Sequence, residues 1–173
     1  ISNIDKNIKY SEPFKKLFTQ GMVCHETYKD ENGNWLYPDE IKKDDNNQYI
    51  KTVDGSRVTV GSSESMSKSK KNTVDPEKMI KIYGADSVRW FILSDSPPEK
   101  DVQWSDNGVA SASKFLQKIW NLNQVIIQMK EKSENKKHDE EFMNRIHTYI
   151  FKVNNLVDNF QFNVAIAQFY EIY

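Results

Sequence analysis

Apolar and polar positions divide the chain into two regimes. Between residues 17 and 61 the apolar residues come in short runs or alternate with polar ones, as strands require. From residue 75 onward they recur every three or four positions, the period of a helix. In the first regime, Met22-Val23-Cys24 reads as a short strand. Thr27-Tyr28 and Trp35-Leu36-Tyr37 flank Asn32-Gly33-Asn34, and Asn-Gly tolerates positive φ, so this stretch predicts a hairpin or a longer β-turn. Pro38 ends the second arm. Residues 39–47 are charged and Asn-rich and predict a solvated loop. Tyr49, Lys51 and Val53 alternate before Asp54-Gly55, and Arg57-Val58-Thr59-Val60 returns as a second hairpin. Residues 61–74 have no apolar period: Gly61, five serines and three lysines predict a flexible, positively charged loop.

Helices follow. Asp75 is a good N-cap, and Pro76 suits the first helical position, where its missing N–H costs nothing. Met79, Ile80 and Tyr83 share a face, and Gly84 fits the residue past the helix end. A second helix runs from Ala85 through Val88 and Ile92 and stops before Pro97-Pro98. Ser105 is the expected cap of a third. Phe115, Ile119, Leu122, Ile126 and Met129 lie four, three, four and three positions apart. After a polar break at 130–138, Phe142, Ile146, Tyr149, Val153, Leu156 and Phe160 continue the pattern. Two such stripes joined by a short link predict an antiparallel pair whose apolar faces are core. Trp90, Trp104 and Trp120 are expected as buried anchors. Asn163 is the expected cap of a last helix. The fold class is mixed α/β, mainly α, with a domain change near residues 98–105.

Composition narrows the partners. The chain has 173 residues with 24 Lys+Arg against 25 Asp+Glu, so its net charge of −1 gives no global field for a polyanion. Any nucleic-acid contact must come from local basic patches. Hydrophobic residues make up 38%, which is polar, but 12% aromatics argues against a disordered chain. No run of about 18 apolar residues marks a membrane span. One cysteine excludes an internal disulfide and fits a reducing, soluble compartment. The chain opens at Ile1 and stops at Tyr173 within an apolar-periodic segment, which predicts a piece of a longer parent.

The candidate chemistry sits in the second half of the polar loop, Ser65-Met66-Ser67-Lys68-Ser69-Lys70-Lys71-Asn72. Three ammonium groups and several hydroxyls stand just before a helix N-terminus. Such a loop can close on a triphosphate and neutralise charge on a leaving pyrophosphate. It lacks the paired glycines of a P-loop. On composition alone a solvated surface loop is the competing reading. Cys24, His25 and Glu26 are all metal-ligand types, but neighbours on a strand point to opposite faces. A buried thiol beside a surface imidazole is the favoured reading, and no metal set is expected. The basic run Lys130, Lys132, Lys136 and Lys137, interleaved with Glu131 and Glu134, reads as a solvated turn before it reads as a phosphate contact.

Met-Ser-Lys-Ser, then Lys-Lys-Asn and Asp-Pro, resembles the KMSKS signature of class I aminoacyl-tRNA synthetases. Tyr83-Gly84-Ala85-Asp86-Ser87-Val88-Arg89 resembles the helix that follows that loop in the class. Ser96-Pro97-Pro98-Glu99, Trp104, Gly108-Val109 and Phe115-Leu116 resemble the leucyl-tRNA synthetase pattern. So do Pro13-Phe14-Lys15 and Leu17 leading into Thr19-Gln20-Gly21-Met22-Val23, and Phe162-Asn163 with Ala165-Ile166-Ala167. The resemblance runs from about residue 10 to the end.

That resemblance implies the end of a nucleotide-binding catalytic core over residues 1–25. A β-hairpin insertion would occupy 26–61, the signature loop and following helices 62–98, and an antiparallel helical bundle along tRNA 99–173. It implies ATP-dependent activation of leucine and transfer to tRNA(Leu), with Mg²⁺ accompanying ATP, in a monomeric, cytoplasmic parent, an organellar origin remaining open. Lys68 corresponds to the second signature lysine and would stabilise the transition state. Met66, Ser67, Lys68 and Ser69, with Gly21, Met22 and Val23, would contact ATP. Lys70, Lys71 and Arg89 would contact tRNA. Ser65 stands where the family has its first signature lysine. The family's His-x-Gly-His element is not formed by His25, His138 or His147, so the chain alone is not expected to aminoacylate. Two alternatives remain open. One is another class Ia ligase, for isoleucine, valine or methionine, against which the Ser-Pro-Pro-Glu and Thr-Gln-Gly-Met-Val runs speak. The other is a non-catalytic RNA-binding module, which Ser65 favours.

Overall fold

The computed structural model describes residues 7, 14, 16–131 and 139–173. Pro13, Lys15, Lys132, Glu134, Lys136, Lys137 and His138 lie outside the described residues, and of Lys130 and Glu131 only the backbone is described.

Strand β1 (Val23–Lys29) is the axis of the first half. Its far end pairs antiparallel with β2 (Trp35–Leu36), with Tyr28 opposite Leu36. The predicted turn joins them: Gly33 has φ +82°, and the Asp30 carboxylate accepts from the Asn32 and Asn34 N–H groups at 3.0 and 2.8 Å. A 3-10 turn at Pro38–Glu40 follows. The loop expected at 39–47 is in part a strand. β3 (Ile41–Lys43) pairs with β4 (Tyr49–Lys51), and the turn between them is capped by Asp44. The second expected hairpin survives only as a bridge between Ile50 and Arg57 around Gly55, φ +72°.

β5 (Thr59–Ser65) takes in the serine stretch that the sequence assigned to a loop. It runs antiparallel along β1, from Lys29 opposite Thr59 to Cys24 opposite Ser65. A bulge between Glu26 and Tyr28 fits the extra residue beside Thr27, whose hydroxyl donates to Ser62 C=O at 3.1 Å. β6 (Val102–Gln103) pairs parallel with the near end of β1. Its Val102 N–H donates to Met22 C=O at 2.9 Å, and Trp104 N–H donates to Cys24 C=O at 2.8 Å.

Two apolar cores result. Tyr28, Leu36 and Val58, with Ile41 and Tyr49, hold the small sheets together. Burial, reinforced by the Glu26 carboxylate that accepts its hydroxyl hydrogen bond, pushes the Tyr28 phenol well above its ordinary range. Phe91, Val102, Val109 and Ala112 form the second core under the helices.

Helix α1 (Pro76–Tyr83) starts as predicted, with the Asp75 carboxylate accepting from Glu77 N–H at 2.9 Å. It ends at Gly84, φ +82°. Met79 and Tyr83 on its predicted face are half-buried, but Ile80 is exposed. α2 (Ala85–Asp95) and α3 (Asp106–Glu131) pack together, and Ser105 caps α3 by accepting from Gly108 N–H at 3.1 Å. α4 (Glu140–Asp158) packs on α5 (Phe162–Ile172), and α5 packs on α2. Trp90 is the hub: its indole N–H donates to the Tyr170 hydroxyl at 3.2 Å, and its ring meets Phe115 and Phe169.

The stripe periods are right, but their partners differ from the expectation. Among the described residues α4 lies against α5, not along α3. Phe115 is buried, whereas Leu122, Ile126 and Met129 farther along α3 are exposed, as are Phe142 and Phe160 at the ends of the second stripe. Trp90 and Trp104 are half-buried anchors, but Trp120 is 61% exposed. The physical reason is reach: α2 and α5 cover only the first turns of α3. Asn163 lies inside α5, and the N-cap is Gln161, which makes no side-chain cap. No described helix is long and apolar enough to cross a membrane.

Candidate nucleotide-binding loop

The polar loop leaves β5 at Met66 and enters α1 at Pro76. It is held at both ends. At the start, Met66 N–H donates to Val23 C=O at 3.1 Å. At the end, Asp75 caps α1. Between them Ser67–Lys71 makes one tight turn. Lys71 N–H donates to Lys68 C=O at 3.3 Å, and Lys70 N–H donates to the Ser67 hydroxyl at 3.4 Å. Ser67 and Ser69 hydroxyls lie 3.3 Å apart. Lys71 sits at φ +54°, in the left-handed region.

The turn is fixed from beneath by Asn72, whose side chain is fully buried. Its Oδ1 accepts from Ser67 N–H at 2.8 Å. Its amide donates to His25 C=O and Glu64 C=O, each at 3.1 Å. The loop is therefore ordered by one amide, although its composition reads as mobile.

The three loop lysines are in different states. Lys70 is ion-paired with Glu64, and this partner, with a hydrogen bond from the Ser62 hydroxyl, holds the Glu64 carboxyl below its usual range. Lys71 places its ammonium over the Tyr37 ring, 5.2 Å from the centroid. The Lys68 side chain is exposed and makes no hydrogen bond or ion pair among the described residues. It is the lysine ready to meet an anion without first giving up a partner.

Gly21, Met22 and Val23 stand beside the loop, and most of their backbone groups are engaged. Gly21 N–H donates to Pro98 C=O at 2.9 Å, and Met22 N–H donates to the Asp101 carboxylate at 2.8 Å. Met22 and Val23 C=O accept from Val102 and Met66. Gly21 permits a close approach: a Cβ there would run into the Lys100 carbonyl and come 2.6 Å from Asp101 N. Arg89 lies one helix beyond, on α2, its side chain 77% exposed and 3.4 Å from Asp86.

A cleft of about 380 Å³ opens on the other flank of the loop. It is lined by His25, Tyr37, Asp39, Asp75, Lys78 and Asp106 among others. Lys78 pairs with Asp39 at 2.8 Å, which raises the Lys78 ammonium above its ordinary value. Three carboxylates against one ammonium make this a poor place for a polyphosphate. The loop's exposed lysine face is the electrostatically suited one. Cys24 is buried and His25 half-buried, and His25 Nδ1 lies 2.9 Å from Glu26 C=O. Among the described residues no three His, Cys, Asp or Glu side chains are placed to hold a metal ion.

Sequence reasoning missed Asn72, Glu64 and Tyr37 as parts of this site. Only the Lys-Lys-Asn run carried any signal for the first.

Residues 41–105 match the family described as tRNA synthetases class I (I, L, M and V). The leucine–tRNA ligase of Rickettsia bellii (strain RML369-C) is 44% identical over 173 residues, all of this chain and 20% of that protein. That of Rickettsia typhi (strain Wilmington) is 48% identical over 162 residues, 93% of this chain and 19% of that protein. The crystal structure of the ternary complex of Agrobacterium radiobacter K84 agnB2 LeuRS-tRNA-LeuAMS superposes with a TM-score of 0.64 at 23% identity. It covers 95% of this chain and 18% of that one. The chain thus spans about a fifth of the length of the curated relatives it matches. Residues 41–105 thus match the class I tRNA synthetase family, and the whole chain is similar to one segment of the leucine–tRNA ligases.

Proposed function

We propose that the chain works as part of a leucine–tRNA ligase and that the 66–71 turn serves the activation step. In that step a leucine carboxylate oxygen attacks the α-phosphorus of ATP, the bond to the bridging oxygen breaks, and pyrophosphate leaves. Negative charge builds on the departing phosphates. The observation that carries the reading is Lys68: an exposed ammonium without a partner among the described residues, at the start of a turn fixed by hydrogen bonds. A preorganised charge aimed at developing charge needs little rearrangement at the moment of reaction.

Met66, Ser67 and Ser69 line the same turn and supply hydroxyl and backbone contacts to ATP. Gly21, Met22 and Val23 border it, and their engaged backbone makes them a rigid wall for the nucleotide. Lys70, Lys71 and Arg89 are the basic groups offered to tRNA(Leu). Arg89 is the freest of these, since an exposed pair with Asp86 holds it weakly. Mg²⁺ accompanies ATP in this reading. Residues 1–25 close the catalytic core, 26–61 form the inserted module, 62–98 carry the loop and its helices, and 99–173 open the tRNA-binding bundle. The parent enzyme is a cytoplasmic monomer.

The test is amino-acid-dependent ATP–pyrophosphate exchange by the full-length enzyme, with each amino acid in turn. Exchange with leucine alone supports the reading and shows that the loop works with Ser65 in place of a lysine. Exchange with isoleucine, valine or methionine instead, or with none, refutes it.

A further inference from the structure

We infer that Asn72 is a positioning residue that sets where the Lys68 ammonium stands. The inference rests on the activation role proposed for Lys68.

Three observations carry it. The Asn72 side chain is fully buried, although it follows three lysines in a five-residue stretch. It uses both donors and its acceptor at once, joining segments that are far apart in sequence: His25 on β1, Glu64 at the end of β5, and Ser67 in the turn. Lys68 follows directly on the residue that Asn72 holds, and its carbonyl accepts from Lys71 N–H at 3.3 Å. The turn is thus clamped on both sides of Lys68, and the clamp is referred to the sheet.

The chemistry requires an amide of this length. Aspartate would keep the acceptor for Ser67 N–H but set a carboxylate against two carbonyls. Glutamine has the right groups on a stem one carbon too long. A hydroxyl cannot serve three partners at these separations. Without the amide, the His25 and Glu64 carbonyls and the Ser67 N–H lose their partner in a dry site, and the turn loses its fixed relation to the sheet. Lys68 itself would remain present and charged. The defect expected is one of placement, and it separates from a defect in charge.

A double-mutant cycle in the full-length enzyme tests this, with Lys68→Ala, Asn72→Ala and the pair, read by leucine-dependent pyrophosphate exchange. Lys68→Ala and Asn72→Ala should each lower kcat by about 10²-fold. KM for leucine should stay within about threefold, because the change falls on the transition state and not on ground-state binding. In the Lys68→Ala background, Asn72→Ala should cost less than about threefold, since the two act through one group. Additive losses overturn the inference, because Asn72 would then act independently of Lys68. A normal kcat for Asn72→Ala also overturns it. If Lys68→Ala alone leaves kcat unchanged, the activation role of the loop fails first, and this inference falls with it. Should Asn72→Ala not fold, Asn72→Asp enters the same cycle with the acceptor kept. Failure of both variants to fold overturns the positioning role in favour of a purely architectural one.

Discussion

Separate removal of the three loop lysines should give three different results. An ammonium about 4 Å from charge developing on the leaving phosphate, at an effective permittivity of about 20, interacts by about 4 kcal/mol. At about 1.4 kcal/mol per decade of rate, that bounds the effect near 10³-fold. An exposed side chain realises part of it, so Lys68→Ala is expected to lower kcat for pyrophosphate exchange by about 10²-fold. Lys70 must first leave Glu64, and an exposed ion pair of this kind is weakly held, so Lys70 can contribute at small cost. Lys70→Ala should lower kcat about tenfold, a single decade for a contact of roughly 1.4 kcal/mol. Lys71 places its ammonium over the Tyr37 ring. Its removal should cost less than about fivefold, the size of a single exposed cation–π contact. The assay is exchange kinetics under saturating leucine and ATP at fixed ionic strength. Equal effects of Lys68→Ala and Lys71→Ala would refute the assignment, because the structure makes their starting states different.

Two further outcomes follow from the packing and the charges. Gly108→Ala should destabilise the protein by up to about 2 kcal/mol in urea unfolding: Ala gains about 1 kcal/mol of helix propensity over Gly, but overpacking costs about 1–3 kcal/mol. The obstacle is the buried Phe91 ring, whose Cδ2 would lie 2.8 Å from the new methyl group, and a stabilised variant would contradict this reading. The Glu64–Lys70 pair should show in the pH dependence of the loop. A depressed carboxyl value contributes stability above the ordinary glutamate range, and that contribution is lost as pH falls through the folded-state value. The difference in loop amide protection between wild type and Glu64→Gln should therefore be constant from about pH 6 to 8 and shrink progressively as pH falls below the ordinary glutamate range. A difference that persists in acid would show that the pair does not tether the loop.

Local chemistry was legible in the sequence at several positions where a single residue decides it, though not at Asn163. Asp75-Pro76 started α1, Gly84 ended it, Asn32-Gly33 turned the first hairpin and Ser105 capped α3. Strand β5 was not legible because its residues are nearly all exposed and carry no alternation. Pairing with β1 imposes its extended form. β3 was hidden in the same way by its lysines. The α3 stripe gave the right face but not its partner, since period says which side is apolar and nothing about what covers it. In the site, the lysines and serines were visible as composition. Asn72 was not, because burial of one amide among charged neighbours is set by the strands beneath it.

The parallel pairing of β1 with β6 also bears on the order in which the protein folds. Met22 and Asp101 are joined across 79 positions. The length-dependent part of closing a flexible chain of that size is about 4 kcal/mol, far more than a hairpin turn demands. Closure entropy therefore favours the β1–β5 ladder forming first and β6 docking later. Contacts from Pro98, Asp101 and Val102 anchor Gly21 and Met22. On the ribosome, the strand edge beside the lysine turn is thus the last part of the site to become rigid, and slow closure at this step would delay nucleotide binding without altering the turn itself.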